Sequence, residues 1–219
     1  AELLSPQNVA GCKRLCVDTN YFATYNKPNV DLVDVRSNSI KGFSETSLLT
    51  EDGTAYEIDD LVLATGFDAM TGALLDIDIR GKGGLTLQEK WTEGPKTYLG
   101  LQTAGFPNLF LITGPGSPSV LTNMIPSIEQ HVEFIDACIG SLESGNAKSI
   151  EATAEAEEAW VAEVNAIGDF TLFPSCNSWY LGANVPGKPR VFMPYLGFPE
   201  YVKRCDEIAA DGYRGFEVA

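Results

Sequence analysis

Residues 61–68 read Leu-Val-Leu-Ala-Thr-Gly-Phe-Asp. Four apolar residues running into Thr65-Gly66 fit a strand buried on both faces that enters a tight loop at its carboxyl end. In open α/β sheets such strand ends face the crevice where cofactors bind. A core strand followed by an ordinary turn would carry the same letters. A second string of this kind, Leu109-Phe-Leu-Ile112, ends in Thr113-Gly-Pro-Gly116. This is not the Gly-x-Gly-x-x-Gly fingerprint that seats a pyrophosphate on a helix N-terminus. Ser119 stands where the third glycine would be, and Pro118 lies inside the motif. The segment reads as a loop over a cofactor. Val120 and Leu121 are apolar in a stretch where polar residues are commoner, which packing on a core would also explain.

Other residues carry chemistry by type. Lys13 and Arg14 are adjacent cations. Arginine stays protonated at any working pH and presents a rigid donor fork, whereas lysine brings a compact point charge suited to a phosphate. Taken alone, both read as solvated surface cations. Trp179 combines a large flat face with one N–H donor. It precedes Gly182, Pro186, Gly187 and Pro189, a composition compatible with a loop that folds over a ligand, although a tryptophan is by default a core residue. His131 has polar neighbours, Gln130 and Glu133, within a helical pattern and reads as structural. The five cysteines are an odd count without a framework spacing. Cys12 and Cys16 could suggest a metal or redox pair, but His131 is the sole histidine. Reduced cytoplasmic thiols are the better expectation.

The elements that must position these residues follow from pattern. At 219 residues the chain has the size of one large domain or two small ones. It has no run of 18 apolar residues to span a membrane, and its start lacks the basic-then-apolar pattern of a signal peptide. A net charge of −15 argues against nucleic acid, whose phosphates need a basic footprint. Val30–Val35 predicts a short strand, and Glu51-Asp52-Gly53 a hairpin between 44–50 and 54–58. Residues 66–97 are glycine-rich and irregular. A helix begins near Thr122 or Asn123, with Ile125, Ile128, Val132, Ile135, Ile139 and Leu142 on one stripe, and stops at Gly145. A second starts at Thr153 and buries Trp160, Val164 and Ile167. A third spans about 199–211 with Val202, Cys205 and Ile208 inward, followed by an edge strand at Phe216–Val218.

Several strings carry a family resemblance: Gly11-Cys-Lys-Arg14, Ala64-Thr-Gly-Phe-Asp68, PKTYLGLQTAGFPNLFLITGPGSPSVLTNM at 95–124, SWYLGANVPGKPR at 178–190 and DGYRGFEV at 211–218. In order and spacing they resemble the C-terminal part of a Baeyer–Villiger monooxygenase, a class B flavoprotein monooxygenase of the phenylacetone and cyclohexanone type. The resemblance covers nearly the whole chain, with residues 1–10 matching least.

It implies an α/β fold made of the closing halves of two Rossmann-like dinucleotide-binding domains. Residues 1–64 would end the NADP domain. Residues 65–219 would end the FAD domain, with an NADP-covering loop near 177–190. The implied reaction uses NADPH, FAD and O2 to form a C4a-peroxyflavin, which inserts one oxygen next to a ketone carbonyl to give an ester or lactone. By resemblance, Arg14 holds the peroxyanion as a fixed positive charge, Lys13 meets the NADP 2′-phosphate and Trp179 contacts NADP. Ser119, Val120 and Leu121 face the ketone, the Met124 backbone touches the flavin, and Thr65, Gly66 and Asp68 sit at a hinge with cofactor contacts.

The family's two glycine fingerprints and its histidine-containing signature all lie upstream of the matched region. The chain therefore reads as a fragment whose partner is the missing N-terminal segment, and strands 61–64 and 109–112 are expected to pair there. Two rivals stand beside this reading. One is a heteroatom-oxidising flavin monooxygenase, which the Gly-Cys-Lys-Arg and Ser-Trp-Tyr-Leu-Gly-Ala-Asn strings count against. The other is a non-catalytic remnant that only co-folds with its missing half.

Overall fold

Asp52-Gly53 turns the chain as its sequence demands. Gly53 takes φ 87°, and the Asp52 carboxylate accepts from Thr54 N at 2.9 Å and Thr50 Oγ1 at 2.7 Å. These bonds hold the carboxyl well below the usual carboxylate range. Around this turn, β1 (Ile40–Phe43), β2 (Ser47–Thr50) and β3 (Ala55–Glu57) form an antiparallel sheet in the order β1-β2-β3, with Leu48 opposite Tyr56. The computed structural model describes residues 2–183, 185–187, 189–190 and 194–219. The chain divides into two compact units: Ala1–Asn8 with Arg14–Gly66, and Val9–Lys13 with Phe67–Ala219.

Two strand expectations in the first unit are not met. Val30–Val35 forms no strand. Asp34 accepts from the backbone N–H and Nε of Arg36 and from Ser37 Oγ, and such local side-chain bonds compete with a strand ladder. Leu61–Ala64 is likewise no strand. Leu61, Val62 and Leu63 are 45, 85 and 72% exposed, because a strand buried on both faces requires neighbours that the described residues do not supply.

The second unit is mostly helical. It contains α1 (Met124–Ser144), β4 (Ile150–Ala152), α2 (Ala154–Asp169), α3 (Phe198–Ala210) and β5 (Phe216–Val218). Asn123 caps α1 by accepting from Ile125 N, and Thr153 caps α2 by accepting from Ala156 N; both satisfy orphan donors of a first turn. The final segment does add an edge strand: β5 pairs antiparallel with β4, Ile150 facing Val218. Trp160, Tyr201, Cys205 and Ile208 pack with Leu99, Leu101, Phe134 and Cys138 in the main core. A second cluster holds Leu87, Trp91, Phe106 and Leu111. The fold is thus a mixture of helices and small sheets; among the described residues both sheets are antiparallel.

The helix boundaries agree with the sequence, but the buried face of α1 is rotated. On α1 the buried residues are Ser127, His131, Phe134 and Cys138, while Ile125 is 63% exposed. On α3 Cys205 and Ile208 are buried as expected, together with Tyr201, while Val202 is only partly so. The hydrogen bonds made by His131 fix that face of α1, so apolar periodicity alone points to its wrong side. Leu109–Ile112 forms no strand either. One residue of it, Leu111, is buried, and its N–H donates to Leu101 O at 2.7 Å.

The cysteines depart from expectation as well. Cys12 and Cys176 form a disulfide across 164 residues, leaving Cys16, Cys138 and Cys205 free. No spacing rule could announce a bond over that separation. No cluster able to hold a metal exists among the described residues, and no described helix is long and apolar enough to cross a membrane.

Candidate functional site

The sequence-predicted residues divide between the two units. Arg14, Thr65 and Gly66 belong to the first, and all three are exposed. Gly66 takes φ 88°, and a Cβ placed on it would meet nothing within 4 Å. Its backbone is therefore open to close approach by a ligand.

Lys13, Asp68, Ser119, Val120, Leu121, Met124 and Trp179 belong to the second unit. Lys13 and Asp68 are exposed. The Asp68 side chain fills the place where Gly72 would carry a Cβ. Ser119, Val120 and Leu121 share one 3-10 turn, which leads through Asn123 into Met124 at the start of α1. Ser119 is buried, and the other two are partly so. Trp179 is half-buried in a single turn, Trp179–Leu181, with its ring 4.4 Å from that of Tyr180. Asn184 and Lys188, within the expected covering loop, lie outside the described residues.

The turn at 119–121 ends a heavily braced loop. Thr113 and Ser119 take φ 54° and 41°, a region that non-glycine residues occupy at a cost, β-branched ones most of all. Hydrogen bonds among the described residues hold the intervening stretch: Thr97 Oγ1 donates to Pro115 O at 2.6 Å, Ser117 Oγ and N to Gly114 O at 2.8 and 3.1 Å, Trp160 Nε1 to Gly116 O at 3.1 Å and Tyr195 N to Ser117 O at 3.0 Å. Gly100 must lack a Cβ here, since one would overlap Ser117.

Thr113 itself is held by His131, whose Nδ1 accepts from Thr113 N at 2.9 Å. The other nitrogen, Nε2, lies 3.0 Å from Tyr201 Oη, and that hydroxyl donates to Leu99 O at 2.7 Å. With Nδ1 accepting, the proton sits on Nε2 and points at Tyr201, so the ring is neutral. Burial pushes the imidazole down to about 4, because a cation there would lose its water. His131 is structural, as expected. Its bond to the loop is what the sequence did not reveal; the available signal was a lone histidine among polar neighbours on an apolar helix.

The residue set fits a dinucleotide and a flavin in kind. Lys13 and Arg14 offer adjacent exposed cations for anionic oxygens, Gly66 an unobstructed backbone and Trp179 a flat face with a donor.

No family profile matches the chain. Curated relatives do. A Baeyer–Villiger monooxygenase from Pseudooceanicola batsensis is 41% identical over 214 residues, 97% of this chain and 39% of that protein. A phenazine N-monooxygenase from Lysobacter antibioticus is 42% identical over 217 residues, 99% of this chain and 40% of the relative. Among solved structures, the OTEMO complex with FAD and NADP is similar with a TM-score of 0.87 and 40% identity, over 95% of this chain and 38% of that one. The resemblance seen in the sequence is borne out: nearly the whole chain is homologous to a part of Baeyer–Villiger-type monooxygenases, and it fits a C-terminal part. The chain spans about 40% of the length of the relatives it matches.

Proposed function

We propose that this chain supplies the C-terminal portion of an FAD- and NADPH-dependent Baeyer–Villiger monooxygenase that converts a ketone and O2 to an ester or lactone. The observation that carries the proposal is homology at about 41% identity over 97% of the chain. In this reading the two units are the closing parts of the Rossmann-like NADP and FAD domains, completed by an upstream segment, in a cytoplasmic enzyme. When bound, FAD reduced by NADPH supplies the activation of oxygen.

The chain's own residues do the rest. Arg14 presents a permanent positive charge that holds an anionic oxygen without donating a proton to it. Lys13 reads the 2′-phosphate that distinguishes NADP from NAD. Trp179 covers the nicotinamide end and keeps water out. Ser119, Val120 and Leu121 present a small, mostly apolar wall to the ketone, on a loop held in place through His131. The Met124 backbone meets the flavin, while Thr65, Gly66 and Asp68 provide cofactor contacts where the chain crosses between domains.

The similarity to a phenazine N-monooxygenase keeps heteroatom oxidation as the second reading. Product analysis of the full-length enzyme decides. Ester or lactone formation from a cyclic ketone, abolished by Arg14→Ala and poorly restored by Arg14→Lys, supports the proposal. N-oxide formation with no ester favours the second reading, and near wild-type turnover of Arg14→Ala removes Arg14 from the mechanism.

A further inference from the structure

Among the described residues from Glu2 to Thr46, Cys12 alone is buried. Its disulfide partner Cys176 lies three residues before Trp179, at the end of the single turn Phe173–Ser175. Lys13 follows Cys12 directly. One covalent bond therefore ties the backbone that carries Lys13 to the segment that carries Trp179, both within the second unit.

Much of the segment before Trp179 is lightly packed: Phe170 is 94% and Leu172 62% exposed. It keeps local structure of its own. Phe173 packs edge-on against Tyr180, Arg190 Nη2 donates to Asn177 Oδ1, and Ser178 Oγ accepts from Tyr180 N. Opening the disulfide would therefore release the segment from Cys12 rather than unravel it. Two of the remaining cysteines do not compete. Cys138 and Cys205 are buried, with thiols pushed up to about 11 and about 12 by desolvation, and Cys16 is a single exposed thiol.

We propose that Cys12–Cys176 is a redox latch. Closed, it pins the Trp179 segment to the Cys12-Lys13 step; open, it lets that segment move. The NADP consequence rests on the functional reading of Lys13 and Trp179 given above. The agent is a dithiol reductant. Its thiolate attacks one sulfur of the pair, the S–S bond breaks, and a second attack completes the exchange. Two cysteine thiols form, gaining two electrons and two protons, and the reductant leaves as its own disulfide. An oxidised dithiol runs the exchange backward. In a reducing compartment a bond of this kind is transient and serves as a sensor.

The test combines thiol trapping with hydrogen exchange on the protein equilibrated with oxidised or reduced dithiothreitol. Under oxidising conditions the Cys12 and Cys176 peptides should travel as one cross-linked species, which separates on reduction. Amide exchange over residues 177–183 should rise about tenfold on reduction. Cys176→Ser should show the fast rate under both conditions. The proposal is overturned if no Cys12–Cys176 cross-link forms under oxidation, if exchange is unchanged by reduction, or if Cys176→Ser still responds to the reductant. NADPH affinity of the full-length enzyme separates the two readings. A fall on reduction supports both, whereas faster exchange with constant affinity supports the latch and removes Lys13 and Trp179 from NADP binding.

Discussion

Two stretches of this chain are nearly the same in sequence and end in different states. Leu61-Val-Leu-Ala-Thr-Gly66 and Leu109-Phe-Leu-Ile-Thr-Gly114 each run four apolar residues into Thr-Gly. The first lies exposed, and among the described residues none of its backbone groups is hydrogen-bonded. The second is tied in: Leu111 is buried and bonded to Leu101, and Thr113 is bonded to His131. The difference lies in the surroundings. The second string has α1, the Leu99–Leu101 turn and Trp160 within its own unit, whereas the first has nothing comparable. An apolar string specifies a need for partners, and the rest of the chain decides whether the need is met.

Substitutions can break that contrast, starting with the largest effect. Trp160→Ala removes a buried ring and the donor to Gly116 O, and should cost about 3–5 kcal/mol in denaturant unfolding, with faster exchange at 114–117. Leu111→Ala should follow at about 2–4 kcal/mol by the same measurement. Acid should loosen the second string and leave the first unaffected. His131 titrates near 4 when folded against 6.5 unfolded. Above pH 6.5 it is neutral in both states and costs nothing. As pH falls from 6.5 to 4 the unfolded state takes up the proton first, so stability drops by as much as about 3 kcal/mol at about 1.4 per pKa unit. His131→Gln should flatten that part of the profile. Smallest of all, Leu63→Ala should change the stability of the 219-residue chain by less than about 0.5 kcal/mol, because its side chain already faces water.

Local features were legible in the sequence. The Asp52-Gly53 hairpin, the caps Asn123 and Thr153, the stop at Gly145, and β5 all rest on neighbours within a few residues, where propensity acts directly. The 66–97 stretch, read as irregular, instead holds short helices at Gly72–Leu75 and Leu87–Lys90, the second capped by Thr86 and Glu89. Features set by distant partners were not legible. The buried face of α1 follows His131, whose partners Thr113 and Tyr201 lie 18 and 70 residues away. The disulfide spans 164 residues. The buried carboxylate Glu157 is satisfied by Lys90 Nζ, Thr103 Oγ1 and Ala104 N, a set no single window of sequence contains. The members of the candidate site were named through resemblance, while the bracing behind Ser119–Leu121 emerged only from the packing.

Hydrogen exchange at Leu61–Gly66 tests the central claim most directly, measured in the 219-residue chain alone and in the full-length enzyme. The account predicts exchange at the unprotected rate in the chain alone and strong protection in the full-length enzyme, with Leu111 protected in both. Protection of 61–66 in the chain alone, or its absence in the full-length enzyme, would contradict the claim that this string is a strand awaiting its neighbours.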